Sequence, residues 1–213
     1  LRVVSVNVGR PREVEWRGKT VRTGIFKSPV AGPVAARGVS LEGDGQADLE
    51  VHGGPGKAVY AYPSEHFAFW REAYPEVEIG PGVFGENLTI EGWSEEDVCL
   101  GDRFRAGTVE LVVTQPRIPC FKLGLRFGRP DVVKRFLAED RSGFYLTIAE
   151  PGEVAAGDAC ERVAADPRRV SVADVVRVHR GELDDPDLLR RAIAVPAFPD
   201  EYREKFRRRL GES

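Results

Sequence analysis

Between Arg2 and Ala165, apolar residues recur at every second position through several short stretches, the period of strands with one face turned inward. In Arg2–Val8, Val4, Val6 and Val8 share one face while Ser5 and Asn7 take the other, and Lys19–Ile25 repeats the pattern with Val21 and Ile25 aligned. Val109, Leu111 and Val113 alternate again before a pair of prolines, and Phe144–Ile148 is a further β-rich run. Gly and Pro punctuate these runs at short intervals, the texture of a barrel or sandwich and not of a parallel α/β sheet. Two segments change period. Phe67, Trp70 and Tyr74 follow Pro63 at helical spacing, and Pro130 suits the first turn of a helix that faces Val132, Val133, Phe136 and Leu137 inward. Gly101-Asp102 and Gly157-Asp158 each precede a strand and predict equivalent turns.

After Asp166-Pro167 the pattern becomes helical throughout. Ser171 caps a first piece with an apolar stripe of Val172, Val175 and Val176; Leu188, Leu189, Ala192 and Ile193 form the second stripe, and Tyr202, Phe206 and Leu210 the third. The expected fold is therefore mostly β: a barrel-like domain over residues 1–165 with a small C-terminal three-helix domain over residues 166–213. So short a tail buries little surface alone, so it is expected to lean on the barrel or on a second subunit, and a homodimer is expected on that ground.

Composition narrows the class without naming it. Of 213 residues, 42% are hydrophobic and 31% charged, an ordinary globular balance, and a net charge of -3 does not advertise a nucleic-acid partner. No apolar run approaches the length of a membrane span and no leader pattern opens the sequence, so a cytoplasmic location is expected, with no membrane partner. Three cysteines without a CxxC pair suit neither a disulfide framework nor a zinc knuckle.

The candidate chemistry centres on Gln115-Pro116-Arg117-Ile118-Pro119-Cys120. Here a strand ends in two prolines and delivers one cysteine beside an arginine, and a permanent positive charge biases a thiol toward the thiolate that attacks electrophiles and binds soft metals. Against this stands the use of cysteine as a small buried apolar residue, the reading that fits Cys99 and Cys160. A second cluster, His52-Gly53-Gly54-Pro55-Gly56-Lys57, follows Gly43-Asp44-Gly45-Gln46-Ala47-Asp48; its glycines let backbone N–H groups approach an anion and Lys57 adds a point charge, although a plain surface loop has the same composition. In Gly82-Val83-Phe84-Gly85-Glu86-Asn87-Leu88, Glu86 and Asn87 either read a ligand's hydrogen-bonding edge or tie down the loop. Arg141, before Ser142-Gly143-Phe144-Tyr145, is either an anion clamp or a solvated arginine. His66 and His179 read as surface or interface residues.

Taken in order, His52-Gly53-Gly54 with Lys57 and Tyr62-Pro63, Phe84-Gly85-Glu86-Asn87-Leu88, Gly101-Asp102, Gln115-Pro116-Arg117 with Cys120, and Arg141-Ser142-Gly143-Phe144-Tyr145 closely resemble the MOSC family, named after the C-terminal domain of molybdenum cofactor sulfurase. With the helical tail, the order resembles the YiiM-type branch, and the resemblance covers essentially the whole chain. It implies a barrel-like domain that binds the pyranopterin molybdenum cofactor, with Cys120 as the metal ligand and catalytic centre. It also implies reduction of small N-hydroxylated compounds such as hydroxylamino purines, amidoximes and hydroxamic acids. By residue type, His52, Lys57, Glu86, Asn87, Arg117 and Arg141 are the candidate cofactor-binding residues around it. No flavin, haem or iron–sulfur signature is present, so an external electron-donor reductase is an expected partner.

Other readings compete for the same residues. Cys120 equally serves a module that carries the cofactor, or sulfur as a persulfide, without turnover. A cysteine hydrolase with His52 as base lacks an identified group to orient the imidazole. Nucleic-acid binding through Arg203, Lys205, Arg207, Arg208 and Arg209 is diluted by Glu201 and Glu204.

Overall fold

The computed structural model describes residues 1–47 and 53–212. Among the described residues, thirteen strands and six α-helices follow one another. The N-terminal part holds β1 (Arg2–Val8), the hairpin β2 (Arg12–Trp16) and β3 (Lys19–Thr23), and the short β4 (Ser28–Pro29), β5 (Val34–Arg37) and β6 (Ser40–Leu41). The centre holds β7 (Val59–Pro63), α1 (Phe67–Ala73), β8 (Leu88–Glu91), β9 (Arg103–Ala106), β10 (Val109–Pro116), α2 (Phe121–Phe127) and α3 (Asp131–Ala138). Then come β11 (Phe144–Glu150), β12 (Gly152–Val154), β13 (Cys160–Ala164) and the three helices α4 (Val172–Arg180), α5 (Pro186–Ala194) and α6 (Asp200–Leu210).

The main sheet has the order β13-β9-β10-β11-β7-β8-β1-β4, and smaller sheets of β12-β5-β6 and β2-β3 flank it. Among the described residues its ladder does not close into a barrel. Backbone bonds from Val3 N–H to the Asp158 carbonyl (2.9 Å) and from Cys160 N–H to the Leu1 carbonyl (3.1 Å) nevertheless draw the start of β13 against β1. The Gly-Asp turns match as expected: Asp102 accepts from the Cys99 N–H at 3.1 Å and Asp158 from the Ala155 N–H at 2.8 Å, each three residues back.

The face predicted for β1 is not the one observed. A register shift between Val3 and Ser5 inserts an extra residue, so Val3 and Val6 are fully buried while Val4 and Val8 are only partly covered. Ser5 and Asn7 are buried as well, linked through Ser5 Oγ to Asn7 Oδ1 (2.8 Å) and Asn7 Nδ2 to Thr89 Oγ1 (3.1 Å). Because those polar groups find partners, a strand with apolar and polar faces is covered on both sides.

The C-terminal helices lie on the sheet of their own chain. Val172, Val175, Val178, Leu188, Leu189 and Phe206 belong to one continuous core with Leu100, Phe104, Leu111 and Val113. The expectation of a homodimer rested on a bare tail, and these stripes are covered intramolecularly. Ser171 and Asp174 form a capping box at the start of α4. Arg209 donates to the carbonyls of Val178 (2.7 Å) and Leu183 (3.1 Å), and Arg203 to those of Val195 (2.6 Å) and Phe198 (2.8 Å). Two arginines of the basic run therefore cap neighbouring helices, which weakens its reading as a nucleic-acid surface. Among the described residues no helix is long and apolar enough to cross a membrane.

A second cluster is aromatic. Tyr62, Phe67, Trp70, Phe84, Phe127 and Phe136 pack together, with Tyr62 and Phe84 stacked at 4.3 Å and Trp70 Nε1 donating to the Tyr62 hydroxyl at 2.6 Å. It unites β7, α1 and the helices α2 and α3 behind the end of β10.

Candidate functional site

Strand β10 pairs with β9 from Val109 to Val112 and with β11 as far as Pro116, so its last residues are held by a rigid ladder. Pro116 and Pro119 lack N–H groups to continue the ladder, and the chain turns out of the sheet between them. Cys120 follows as an extended residue, φ −122° and ψ 176°, and becomes the N-cap of α2 without using its side chain as a cap. Its thiol is left at the wall of a cleft and is half-buried.

The other cysteines stand apart. Cys99 and Cys160 are 2% and 3% exposed, and burial pushes the Cys160 thiol up to about 12 and raises that of Cys99. Neither is available as a thiolate near neutral pH.

The cleft brings together segments remote in sequence. Its lining includes Lys27 and Gly24 after β3, Asp44–Ala47, Lys57, Tyr60 on β7, Gly85 and Asn87, Arg117, Cys120, Lys122 and Tyr145. Among the described residues of that lining, the charged ones are Lys27, Lys57, Arg117 and Lys122 with the carboxylate of Asp44. Lys27 and Asp44 form an ion pair with side chains only 8% and 4% exposed, and burial holds the Lys27 ammonium below its ordinary value against the pull of Asp44. Asp44 also accepts from Asn87 Nδ2 (2.8 Å) and the Gly9 N–H (3.0 Å). Gln46 staples the next segment by accepting from the Gly54 N–H (2.9 Å) and donating to the Lys57 carbonyl (3.1 Å). Lys57 itself ends a 3-10 turn over Pro55–Lys57.

Arg117 forms the floor. It is 6% exposed, and its guanidinium lies over the rings of Tyr60 and Phe136, 5.1 Å from each centroid. Burial opposes its charge, but Tyr60, Tyr145 and Cys120 outweigh that cost and hold it above its ordinary value. Its Nη1 is buried without a hydrogen-bond partner. The loop behind it is fixed by Gly143, at φ 62°, where a Cβ would lie 2.5 Å from the Ala61 carbonyl oxygen.

The structure thus gathers Lys57, Asn87, Arg117 and Cys120 at one cleft and puts Glu86 and Arg141 behind it. Asn87 lines the cleft, but its side chain is engaged: Oδ1 accepts from the Tyr60 N–H at 3.1 Å and Nδ2 holds Asp44. Glu86 is fully buried, accepting from the N–H groups of Gly82 (2.6 Å) and Phe84 (3.0 Å) and from Thr89 Oγ1 (3.0 Å), which ties down the loop that carries Phe84 and Gly85. Burial pushes its carboxyl up to about 7 although those bonds oppose the shift. Arg141 donates to His66 Nδ1 at 3.1 Å and lies over Phe69 at 4.6 Å. Since arginine only donates, His66 accepts there and gives its Nε2–H to buried Glu95 (2.9 Å), which also accepts from the Gly143 N–H (2.6 Å). His66 is therefore a buried structural residue, not a surface one. His52 lies outside the described residues.

Lys27, Asp44, Tyr60 and Tyr145 are cleft residues that sequence reasoning did not single out. Asp44 stands in the Gly43–Asp48 segment already noted for its composition, but nothing local marks Lys27 as its partner. Among the described residues there is no group of three or more His, Cys, Asp or Glu able to hold a metal ion. One thiol in a cationic cleft suits a metal that arrives with ligands of its own, and the unpartnered Arg117 Nη1 suits an oxyanion on that group.

The MOSC domain model matches residues 48–161. The Bacillus subtilis (strain 168) protein YflK is 38% identical over 204 residues, covering 96% of this chain and 92% of that protein. A protein named Reductase from Gibberella moniliformis is 33% identical over 96% of this chain, which corresponds to 37% of its own length. The crystal structure of YiiM from Geobacillus stearothermophilus superposes with a TM-score of 0.81 at 36% identity, covering 98% of each chain. With the Cys120 cleft, these likenesses establish that the chain belongs to the MOSC domain family, in its YiiM-type branch.

Proposed function

We propose that the cleft binds the molybdenum cofactor with Cys120 Sγ as the protein ligand to molybdenum, and that the chain reduces N-hydroxylated compounds with electrons from a separate reductase. The observation that carries this reading is the pairing of a half-buried thiol with a buried, unpartnered Arg117 Nη1 in a cleft rich in cations. A relative named Reductase adds support for redox chemistry.

When bound, the cofactor supplies a metal centre that takes an oxygen atom from an N–OH group and is recharged by two electrons. Overall, the hydroxylamine consumes two electrons and two protons and leaves as the amine and water. The chain's own residues bind and orient. Arg117 offers Nη1 to an oxyanion of the pterin's phosphate, and Lys57 and Lys122 add charge at the cleft wall. Lys27 is committed to Asp44, so that pair braces the wall. Asn87, Glu86 and the Glu95–His66–Arg141 cluster fix the loops that shape the cleft.

The test is protein made in a host that synthesises the cofactor. Molybdenum and pterin near one per chain, with turnover of a hydroxylamino purine on a chemical electron donor, is the expected result. Bound molybdenum without turnover of any N-hydroxylated compound points instead to the carrier reading, and absence of both overturns the proposal.

A further inference from the structure

A groove adjoins the cleft and meets it at Lys57, Ile118, Cys120 and Tyr145. Its far wall comes from the C-terminal helices: His179 near the end of α4, and Glu201, Tyr202 and Lys205 from α6. Gln115, only 2% exposed, lines it, and its Nε2 is buried with no hydrogen-bond partner. An unpaired buried amide is costly to keep, and the groove is the open space that Gln115 borders. Two prolines, Pro116 and Pro119, and the ring of Tyr202 give this groove flat walls. Lys205 is turned to Glu201 at 3.4 Å and lies 5.1 Å from the Tyr202 ring centroid, so the charge on this side is largely matched within α6. His179 is exposed, yet partial desolvation beside the groove and the charge of Lys205 both lower its proton affinity.

We propose that this groove is the substrate side of the Cys120 centre, that Gln115 orients a flat, uncharged substrate by donating Nε2–H to a ring acceptor, and that His179 and Tyr202 form its discriminating wall. The inference rests on the proposed function and assigns its two halves to different surfaces: the anionic cofactor to the cationic cleft, the neutral substrate to the groove. The three-helix tail is then part of the site and not only a cover for the sheet.

Two experiments test this. In the molybdenum-loaded enzyme, Gln115→Leu should raise KM for a hydroxylamino purine about five- to tenfold, the value of one neutral hydrogen bond, with molybdenum content unchanged. His179→Trp, at an exposed position where folding is not at stake, should raise it similarly by narrowing the groove. The KM of N-methylhydroxylamine, which has no ring acceptor, should stay within about twofold in both. Separately, adenine titrated into the cofactor-free protein should move the ring-proton NMR signals of His179 and not those of buried His66, and Gln115→Leu should weaken that response. Unchanged KM for the purine in both variants, or adenine leaving His179 unmoved, overturns the inference while the proposed function stands. A parent enzyme that holds molybdenum but turns over nothing defeats the proposed function, and the adenine titration still decides the groove.

Discussion

Where α4 and α5 lie against β10, Leu111, Val113, Val172, Val175 and Leu189 make an aliphatic patch of the core. On the cleft side the packing is aromatic and encloses charges, with Arg117 over Tyr60 and Phe136 and Lys27 against Asp44. The first region gains stability from buried apolar area. The second spends part of that gain on desolvating ionised groups, an arrangement that a chain selected for stability alone has no reason to keep. The contrast locates function in this fold more sharply than either cluster does by itself.

Substitutions can separate the regions. Leu189→Ala and Phe136→Ala, at side chains 1% exposed, should each lower unfolding free energy by about 2–5 kcal/mol in urea titrations. They should part company in molybdenum retention, which persists in Leu189→Ala at temperatures where it is folded and falls in Phe136→Ala as Arg117 loses its platform. Equal retention in both would erase the distinction.

The next effect is pH dependence. Glu86, raised from 4.5 to about 7, keeps its proton in the folded state where the unfolded chain has lost it. The folded state therefore binds more protons across that window, and stability should fall as pH rises through it, by no more than about 3–4 kcal/mol, then level off. Glu86→Gln should flatten the slope between pH 5 and pH 8; an unchanged slope assigns the dependence elsewhere. Smaller still, Arg117→Met should leave stability within about 1 kcal/mol of the parent, since an apolar chain of similar length replaces a buried charge. The same variant should lose cofactor about ten- to a hundredfold more readily. Cys160→Ser should cost about 1 kcal/mol of packing and leave molybdenum content unchanged.

The strands with clean alternation, Val109–Val113 and Phe144–Ile148, were legible because their apolar residues do face the core. The strand over Arg2–Val8 was legible as an element but not in its facing, since a bulge and a polar network depend on Thr89 and Glu86, distant in sequence. Helix α2 was missed: Gly124 interrupts its pattern and is there because Pro130 packs close, its Cα 3.1 Å from where a Cβ would stand. The meeting of Cys120 and Arg117 at the cleft was readable from the local sequence Pro116-Arg117-Ile118-Pro119-Cys120. Lys27–Asp44, the Tyr60 platform and the tail's approach to Cys120 are products of tertiary contact, and no local pattern announces them. The roles of Arg203 and Arg209 on α6 were hidden for the same reason, because the carbonyls they cap belong to other helices.

The central claim is that Cys120, alone of the three cysteines, holds the metal. Serine there is nearly isosteric but replaces a soft thiolate with a hydroxyl that stays protonated near neutral pH. Molybdenum and pterin should be measured together on Cys120→Ser, Cys99→Ser and Cys160→Ser made side by side in a cofactor-competent host. The account predicts that molybdenum falls at least about tenfold in Cys120→Ser with turnover abolished, and stays near the parent level in the other two. Full molybdenum content and turnover in Cys120→Ser, or loss confined to Cys99→Ser, would contradict it.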